Sequence, residues 1–216
     1  MVVLLLGDSD FGRVQLRQIR QAMAAGLMGP QDIVAAGERA AELADDPAAG
    51  GVRLVAEPAG PFLLATLASL PDDARVIPPP IGRHVFADLL AGGSGGRLFP
   101  PDGSFPLPFA RAGDGVLYLS AAAWTCPIDC MAPRICPRIG LGRPWHLPSL
   151  LRQWARERGL PSIVFAPRGP ASGAEGVAAA RLKAALRRVR RSGSFLVATS
   201  APCHAAASLL EVAARS

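Results

Sequence analysis

Short apolar runs alternate with amphipathic segments along the first ninety residues. Continuous apolar runs bounded by Gly, Pro and polar residues predict buried strands, and these fall at 2–6, 32–36, 52–56 and 75–77. Apolar residues at helical spacing predict helices between them, at about 13–25, 40–44, 62–70 and 84–90. Strands that alternate with helices are typical of a parallel sheet joined by right-handed crossovers. The first half is therefore predicted to be an α/β unit.

The second half continues the same pattern. Its apolar runs predict strands at 115–121, 162–166 and 194–199, and helices at 148–158, 175–191 and 203–214. Between the halves, the run from Gly92 to Gly96 is flexible by composition. The sequence therefore predicts a first domain at 1–91, a linker or mobile loop at 92–96, and a second α/β half at 97–216.

The first predicted strand leads into a glycine loop. Gly7, Ser9 and Gly12 have the spacing of a dinucleotide fingerprint, with serine at the position of the middle glycine. The loop follows a strand and opens a helix, whose first backbone N–H groups can hold a phosphate. Glu38 ends the second predicted strand, where an acidic side chain would bind the ribose hydroxyls.

With this loop, residues 1–90 resemble Rossmann-type nucleotide-binding domains, in particular the regulatory domains of bacterial potassium transporters. The resemblance implies a Rossmann-like parallel sheet with flanking helices, and a site for NAD or another nucleotide at the four residues just named. The chain departs from the pattern at Ser9, because glycine there lets the backbone approach a pyrophosphate. Asp8 and Asp10 add negative charge beside the phosphate position. A Rossmann-like scaffold without a ligand is the alternative.

Reactive side chains concentrate in one stretch of the second half. Cys126, Cys130 and Cys136 lie within eleven positions, and Cys203 lies far downstream. The stretch follows the predicted strand at 115–121, and Cys203 follows the one at 194–199. Because sites gather at the carboxyl ends of strands, all four thiols can meet if these two strands are close in the sheet.

Four thiolates suit either tetrahedral zinc or an iron–sulfur cluster. Structural zinc usually shows two tight pairs of ligands, whereas this chain has a three-plus-one arrangement. Pro127 and Pro137 directly follow cysteines, as proline does in ferredoxin-like runs. A 4Fe-4S cluster is therefore favoured, with structural zinc and metal-free thiols left open. His204 is an alternative to Cys203 as the last ligand, and Arg134 and Arg138 would offset the negative charge of a thiolate-bound centre.

The charge pattern and the N-terminal sequence indicate which partners and which cellular compartment to expect. The formal net charge is +6, but the arginines are mostly scattered and no aromatic residues interleave their one cluster at 187–191. Nucleic acid is therefore not an expected partner.

The apolar N-terminal segment is not preceded by basic residues, and no apolar run approaches the roughly 18 residues of a membrane span. We expect a cytoplasmic protein without a membrane span, in which clustered cysteines favour metal or redox chemistry over disulfides.

Three functional hypotheses follow. The first is a metal- or iron–sulfur-binding protein with a redox or electron-transfer accessory role, partnered by a larger oxidoreductase complex. The alternative is a nucleotide-binding regulatory module with a structural zinc site. The third is a thiol enzyme in which Cys203, at a predicted helix N-terminus, is the nucleophile. Since no Ser/His/Asp set, carboxylate pair or phosphate loop with a lysine is present, the sequence leaves enzymatic activity, catalytic residues and oligomeric state open.

Overall fold

The chain folds as an α/β protein, in agreement with the predicted class. The computed structural model describes residues 1–7, 9–29, 31–79, 84–102, 105, 107–126, 130, 133–167 and 176–214. The strands are β1 Val2–Leu6, β2 Asp32–Ala36, β3 Arg53–Val55, β4 Arg75–Ile77, β5 Arg97–Phe99, β6 Phe109–Gly113, β7 Val116–Ser120, β8 Ile135–Cys136, β9 Leu141–Gly142, β10 Ser162–Phe165, β11 Val177–Ala178, β12 Gly193–Ser200 and β13 His204–Val212. The helices are α1 Ser9–Ala24, α2 Ala59–Thr66, α3 Val85–Ser94, α4 Leu147–Glu157 and α5 Ala179–Val189, with short 3-10 helices at Ala40–Leu43 and Pro47–Ala49. Within the described part of the chain, every helix is too short or too polar to span a bilayer.

Two structural units divide the chain in an interleaved way. The first unit combines Met1–Val85 with Pro167–Arg188, and the second combines Phe86–Ala166 with Val189–Ser216. The predicted division at 91/92 therefore differs from the observed one, because a late segment returns to the first unit.

The first unit is built on a five-stranded sheet in the order β11-β4-β1-β2-β3. β1 to β4 are parallel, and only β11 is antiparallel to its neighbour. The order β3-β2-β1-β4 matches four neighbouring strands of the doubly wound order 3-2-1-4-5-6. β1 and β2 are apolar along nearly their whole length because both of their faces are buried. On one side, Leu16 and Ile19 of α1 pack against Val3 and Leu5 of β1.

The second unit is built on a mixed sheet in the order β10-β12-β13-β7-β6, with β5 also paired to β13. β10 and β12 are parallel, and the other pairs are antiparallel. Helix α4 covers one face, where Leu151 and Trp154 pack in one cluster with Leu119 and Leu196. The ring of Trp154 stacks on Phe105 at a centroid distance of 5.1 Å.

The terminal helix predicted at 203–214 is wrong, because this segment is strand β13. Its alanines have a high intrinsic helix propensity, which misled the prediction. In the sheet, β13 pairs with β12, β7 and β5, and Ala207 and Ser208 are both fully buried. Strand pairing on both sides of β13 therefore outweighs the helix propensity of its alanines.

The run from Gly92 to Gly96, predicted to be a linker or mobile loop, is helical through Ser94. Helix α3 continues through Ser94, whose hydroxyl donates to the Leu90 carbonyl at 2.7 Å. Gly95 then adopts a left-handed φ of 71°, and the Gly96 N–H donates to the Ala91 carbonyl at 3.0 Å. This is the geometry of a Schellman C-cap, so glycine ends a helix here rather than separating two domains.

Candidate metal centre

The carboxyl ends of β7 and β12 lie at the same edge of the second sheet. Each strand is antiparallel to β13, which runs between them, so β7 and β12 share one direction. β13 begins at that edge, and the Ala121 N–H donates to the Cys203 carbonyl at 2.9 Å. The topology therefore brings the start of the cysteine stretch next to Cys203, with one strand between the two predicted strands.

Cys203 is held at the start of β13 with its thiol inside the protein. The residue is 6% exposed, and the indole Nε1–H of Trp145 donates to its Sγ at 3.5 Å. Helix α4 begins beside it, since the Leu147 N–H donates to the Pro202 carbonyl at 3.0 Å. The local contacts thus fix both the backbone and the thiol of this residue.

Cys136 is fixed by a small hairpin. Strands β8 and β9 are antiparallel, with Cys136 opposite Leu141. The turn between them directs the N–H groups of Ile139 and Gly140 to the Cys136 carbonyl, at 3.2 and 2.8 Å. Gly140 has a left-handed φ of 68°, which glycine adopts at no steric cost. The Cys136 side chain is buried in this arrangement.

Cys126 lies within electrostatic reach of all the other thiols. Burial raises the pKa of the Cys126 thiol, and the neighbouring thiols of Cys130, Cys203 and Cys136 raise that pKa further. Cys126 follows β7 at the sheet edge where β13 begins, five residues after the Ala121 N–H that donates to the Cys203 carbonyl. Cys126 is half-buried and Cys130 is exposed, whereas the other two are buried.

All four cysteines are free thiols. Among the described residues, no group of three or more His, Cys, Asp or Glu side chains has the geometry of a metal site. Asp129 and Pro127, which belong to the cysteine stretch, lie outside the described residues. Arg134 and Arg138, predicted to balance the charge of the centre, are both exposed.

Three N–H-bearing side chains beside the cysteines were missed by the sequence reasoning. Trp124 and Trp145 lie with their ring centroids 6.3 Å apart. The Trp124 indole lies close enough to Cys126 to lower the pKa of its thiol, but their geometry falls short of a hydrogen bond, and the buried Trp124 Nε1 has no hydrogen-bond partner among the described residues. Arg143 donates from Nη1 to the Pro133 carbonyl at 2.5 Å, while its buried Nε and Nη2 have no described partner. The available signal was that two of the three tryptophans flank the cysteine stretch.

The histidines have separate structural settings. His204 opens β13, and burial lowers its pKa. Cys203 lies in the bend directly before β13, so His204 is its neighbour in the chain. His146 is the N-cap of α4, with Nδ1 2.8 Å from Ser149 Oγ. His84, in the first unit, is buried, and burial lowers its pKa to about 3.

The glycine loop lies in the first unit, at the end of β1 and the start of α1. Gly7 has a φ of 114°, and a Cβ there would lie 3.3 Å from the Pro79 side chain. A Cβ on Gly12 would lie 3.2 Å from both methyl groups of Leu43, so glycine permits close packing of α1 on the 3-10 helix after β2. Glu38 is exposed in the turn after β2. The Ser9 side chain lies outside the described residues, as does Asp8, and nucleotide binding stays a prediction.

One protein-family model matches this chain. It is AF_1314_C, described as "Uncharacterized protein, C-terminal domain", and it matches residues 96–213, which is more than half of the chain. The chain belongs to the AF_1314_C family. The AF_1314_C segment contains all four cysteines, both flanking tryptophans and Arg143. No curated protein and no solved structure matches the chain.

Proposed function

We propose that Cys126, Cys130, Cys136 and Cys203 hold an iron–sulfur cluster, with 4Fe-4S as the favoured type, and that the protein is an electron-transfer accessory. The observation that carries this proposal is the sheet topology, which brings the start of the cysteine stretch beside Cys203, where the Ala121 N–H donates to the Cys203 carbonyl at 2.9 Å. Cys136 and Cys203 are the fixed half of the site, because a hairpin and a sheet edge hold them. Cys126, which is half-buried, and Cys130, which is exposed, would complete the set of four ligands.

The chemistry of the surroundings supports an anionic centre. Four thiolates carry four negative charges before the metal is counted, and such a centre needs nearby N–H donors or cations. Trp124, Trp145 and Arg143 supply N–H groups at this location. Free thiols are typical of a reducing compartment, so we place the protein in the cytoplasm. A larger oxidoreductase complex is the proposed partner, since an electron-transfer accessory needs an electron donor and an electron acceptor.

Anaerobic purification followed by metal analysis tests this proposal. We expect a brown protein with about four iron atoms and four sulfides per chain, and a broad visible absorption. Stoichiometric zinc without colour would instead favour the alternative, a regulatory module with a structural zinc site. That alternative also requires saturating NAD or ATP to raise the melting temperature through the Gly7 loop. Metal-free protein would overturn both.

Substitution of the remote cysteine tests which residues are ligands. We expect Cys203→Ala to lower the iron content about as much as Cys130→Ala, because either change removes one of four ligands. His204→Ala is the matched control and should keep the iron, since the proposed ligand set contains Cys203 and not His204. Iron retained in Cys203→Ala but lost in His204→Ala would show that the histidine completes the site.

A further inference from the structure

We propose that Trp145, Trp124 and Arg143 form a donor set that stabilises negative charge on the cysteine centre and thereby raises its reduction potential. The inference rests on the proposed iron–sulfur cluster and assigns a role to side chains that are not ligands. They are positioning residues, because they act on the cluster through hydrogen bonds to sulfur.

The Trp145 contact is the firmest part of the set. Its indole Nε1–H already donates to the Cys203 sulfur at 3.5 Å. An N–H···S hydrogen bond withdraws electron density from a ligating thiolate, and hydrogen bonds to the sulfurs are one of the factors that set the potential of a cluster. Trp145 is held in place because α4 begins two residues later, with its Leu147 N–H bonded to the Pro202 carbonyl.

The second part of the set consists of donors without acceptors. The Trp124 Nε1 and the Arg143 Nε and Nη2 are buried and have no partner among the described residues. Leaving such a group unsatisfied destabilises the folded protein, and the effect is larger for a charged group. An anionic centre at the cysteines would supply acceptors for these donors.

Arg143 lies beside the same proposed centre. The residue directly follows β9, whose Leu141 pairs with Cys136, and it lies two residues before Trp145. Its Nη1 anchors the loop between Cys130 and Cys136 by donating to the Pro133 carbonyl. The remaining guanidinium nitrogens are therefore held beside a loop that carries two proposed ligands.

The redox consequence follows from charge. Reduction adds one electron from a low-potential donor to the cluster and makes the centre more negative by one unit, with no bond formed or broken. Oriented N–H groups and a cation stabilise the more negative state more strongly than the oxidised one. Removing a donor therefore makes the cluster harder to reduce.

The test is the midpoint potential of the anaerobically reconstituted full-length protein, titrated with dithionite and followed by visible absorption. Trp145→Phe keeps the ring and removes the N–H, and Arg143→Gln removes the charge. We expect both variants to keep the iron and sulfide content of the unmodified protein and to have a lower midpoint potential.

Matched controls exist within the same unit. Trp154 also has a buried Nε1 without a described partner, but it stacks on Phe105, two helical turns beyond the start of α4. Arg158 stacks over the Trp154 ring, with its guanidinium carbon 4.2 Å from the ring centroid. Trp154→Phe and Arg158→Gln should leave the potential unchanged.

The outcomes separate this inference from the proposed function. An unchanged potential in Trp145→Phe, with iron content retained, would overturn the donor set and leave the cluster assignment standing. If Arg143→Gln does not fold, Trp145→Phe alone decides. Unmodified protein that holds no iron would overturn the cluster and the donor set together.

Discussion

Asp46 shows how a single carboxylate ties two elements of the first unit together. Its side chain is 3% exposed and lies 2.8 Å from Arg17 Nη2 of helix α1. It also caps the 3-10 helix Pro47–Ala49 by accepting from the Ala48 N–H at 2.9 Å. The hydrogen bond from Ala48 lowers the pKa of Asp46, and Arg17 and Arg13 lower it further. The charged form is therefore the one that the fold stabilises.

Asp46→Asn should lower the melting temperature at neutral pH, because the amide loses the charge that Arg17 and the cap stabilise. Since the folded-state pKa lies below the ordinary value of 3.8, the ionised carboxyl stabilises the fold above that pH. This contribution is lost as the pH falls through the folded-state pKa. The melting-temperature difference between the two proteins should therefore shrink in acid, as thermal denaturation at a series of pH values would measure. Asp45→Asn, at the exposed neighbour, is the control, and a constant difference across pH would contradict the assignment.

At the cysteine site, some of the residues could be recognised from the sequence and others could not. Clustering of three cysteines within eleven positions was visible in the sequence, because ligand spacing is a local property. The contact between Trp145 and Cys203 was not, since the two residues are 58 positions apart. Such donors become recognisable only when the fold brings distant segments together.

At the scale of elements, the end of α3 shows how glycine composition misleads. A glycine-rich run suggests a linker, yet here Gly95 supplies the left-handed residue of a helix cap. Gly96 then allows β13 to approach closely, because a Cβ at this position would lie 2.6 Å from Leu210 Cδ1 and 2.8 Å from the Glu211 carbonyl oxygen. The run therefore fixes the path of the chain from α3 into β5.

Gly96→Ala should destabilise the protein by about 1–3 kcal/mol, because the added methyl overlaps a backbone atom that cannot move aside cheaply. Gly113→Ala is the matched control. It has a negative or extended φ and open space where its Cβ would lie, so its unfolding free energy should change by no more than about 0.5–1 kcal/mol. Urea denaturation of both variants measures the difference. An equal free energy of unfolding for the two variants would contradict this prediction, because it would show that β13 moves aside to accommodate the methyl group.

At the scale of the whole molecule, the first unit is completed by a segment from the second half of the chain. Strand β11 pairs with β4, and the Ala179 N–H donates to the Ala74 carbonyl at 2.8 Å. Lys183 of α5 donates to the Leu70 carbonyl at 2.6 Å and to Asp72 at 2.9 Å. Leu182 of the same helix is fully buried. The segment 1–91 therefore lacks part of its own core.

A fragment comprising 1–91 should unfold without a cooperative transition, because it lacks β11 and the buried face of α5. A chain in which 1–85 is joined to 167–188 by a Gly/Ser linker should regain a cooperative transition. Thermal denaturation followed by circular dichroism compares the two. A 1–91 fragment that unfolds as cooperatively as the joined chain would show that the returning segment is dispensable.

The sequence by itself determined the α/β class, most strands and helices, and the cysteine cluster. Strands such as β1, β2, β7 and β12 were predictable because a continuous apolar run records burial directly. The glycine loop was likewise visible as a pattern, although its ligand was not.

Only the tertiary structure decided which distant segments pair. It made the alanine-rich segment at His204–Val212 a central strand, returned α5 to the first unit, and placed Trp145 against Cys203. In each case the deciding contacts join residues far apart in the chain, and local propensity is too weak to oppose them. The sequence names the thiols of the candidate centre, and the fold supplies the neighbours that set its chemistry.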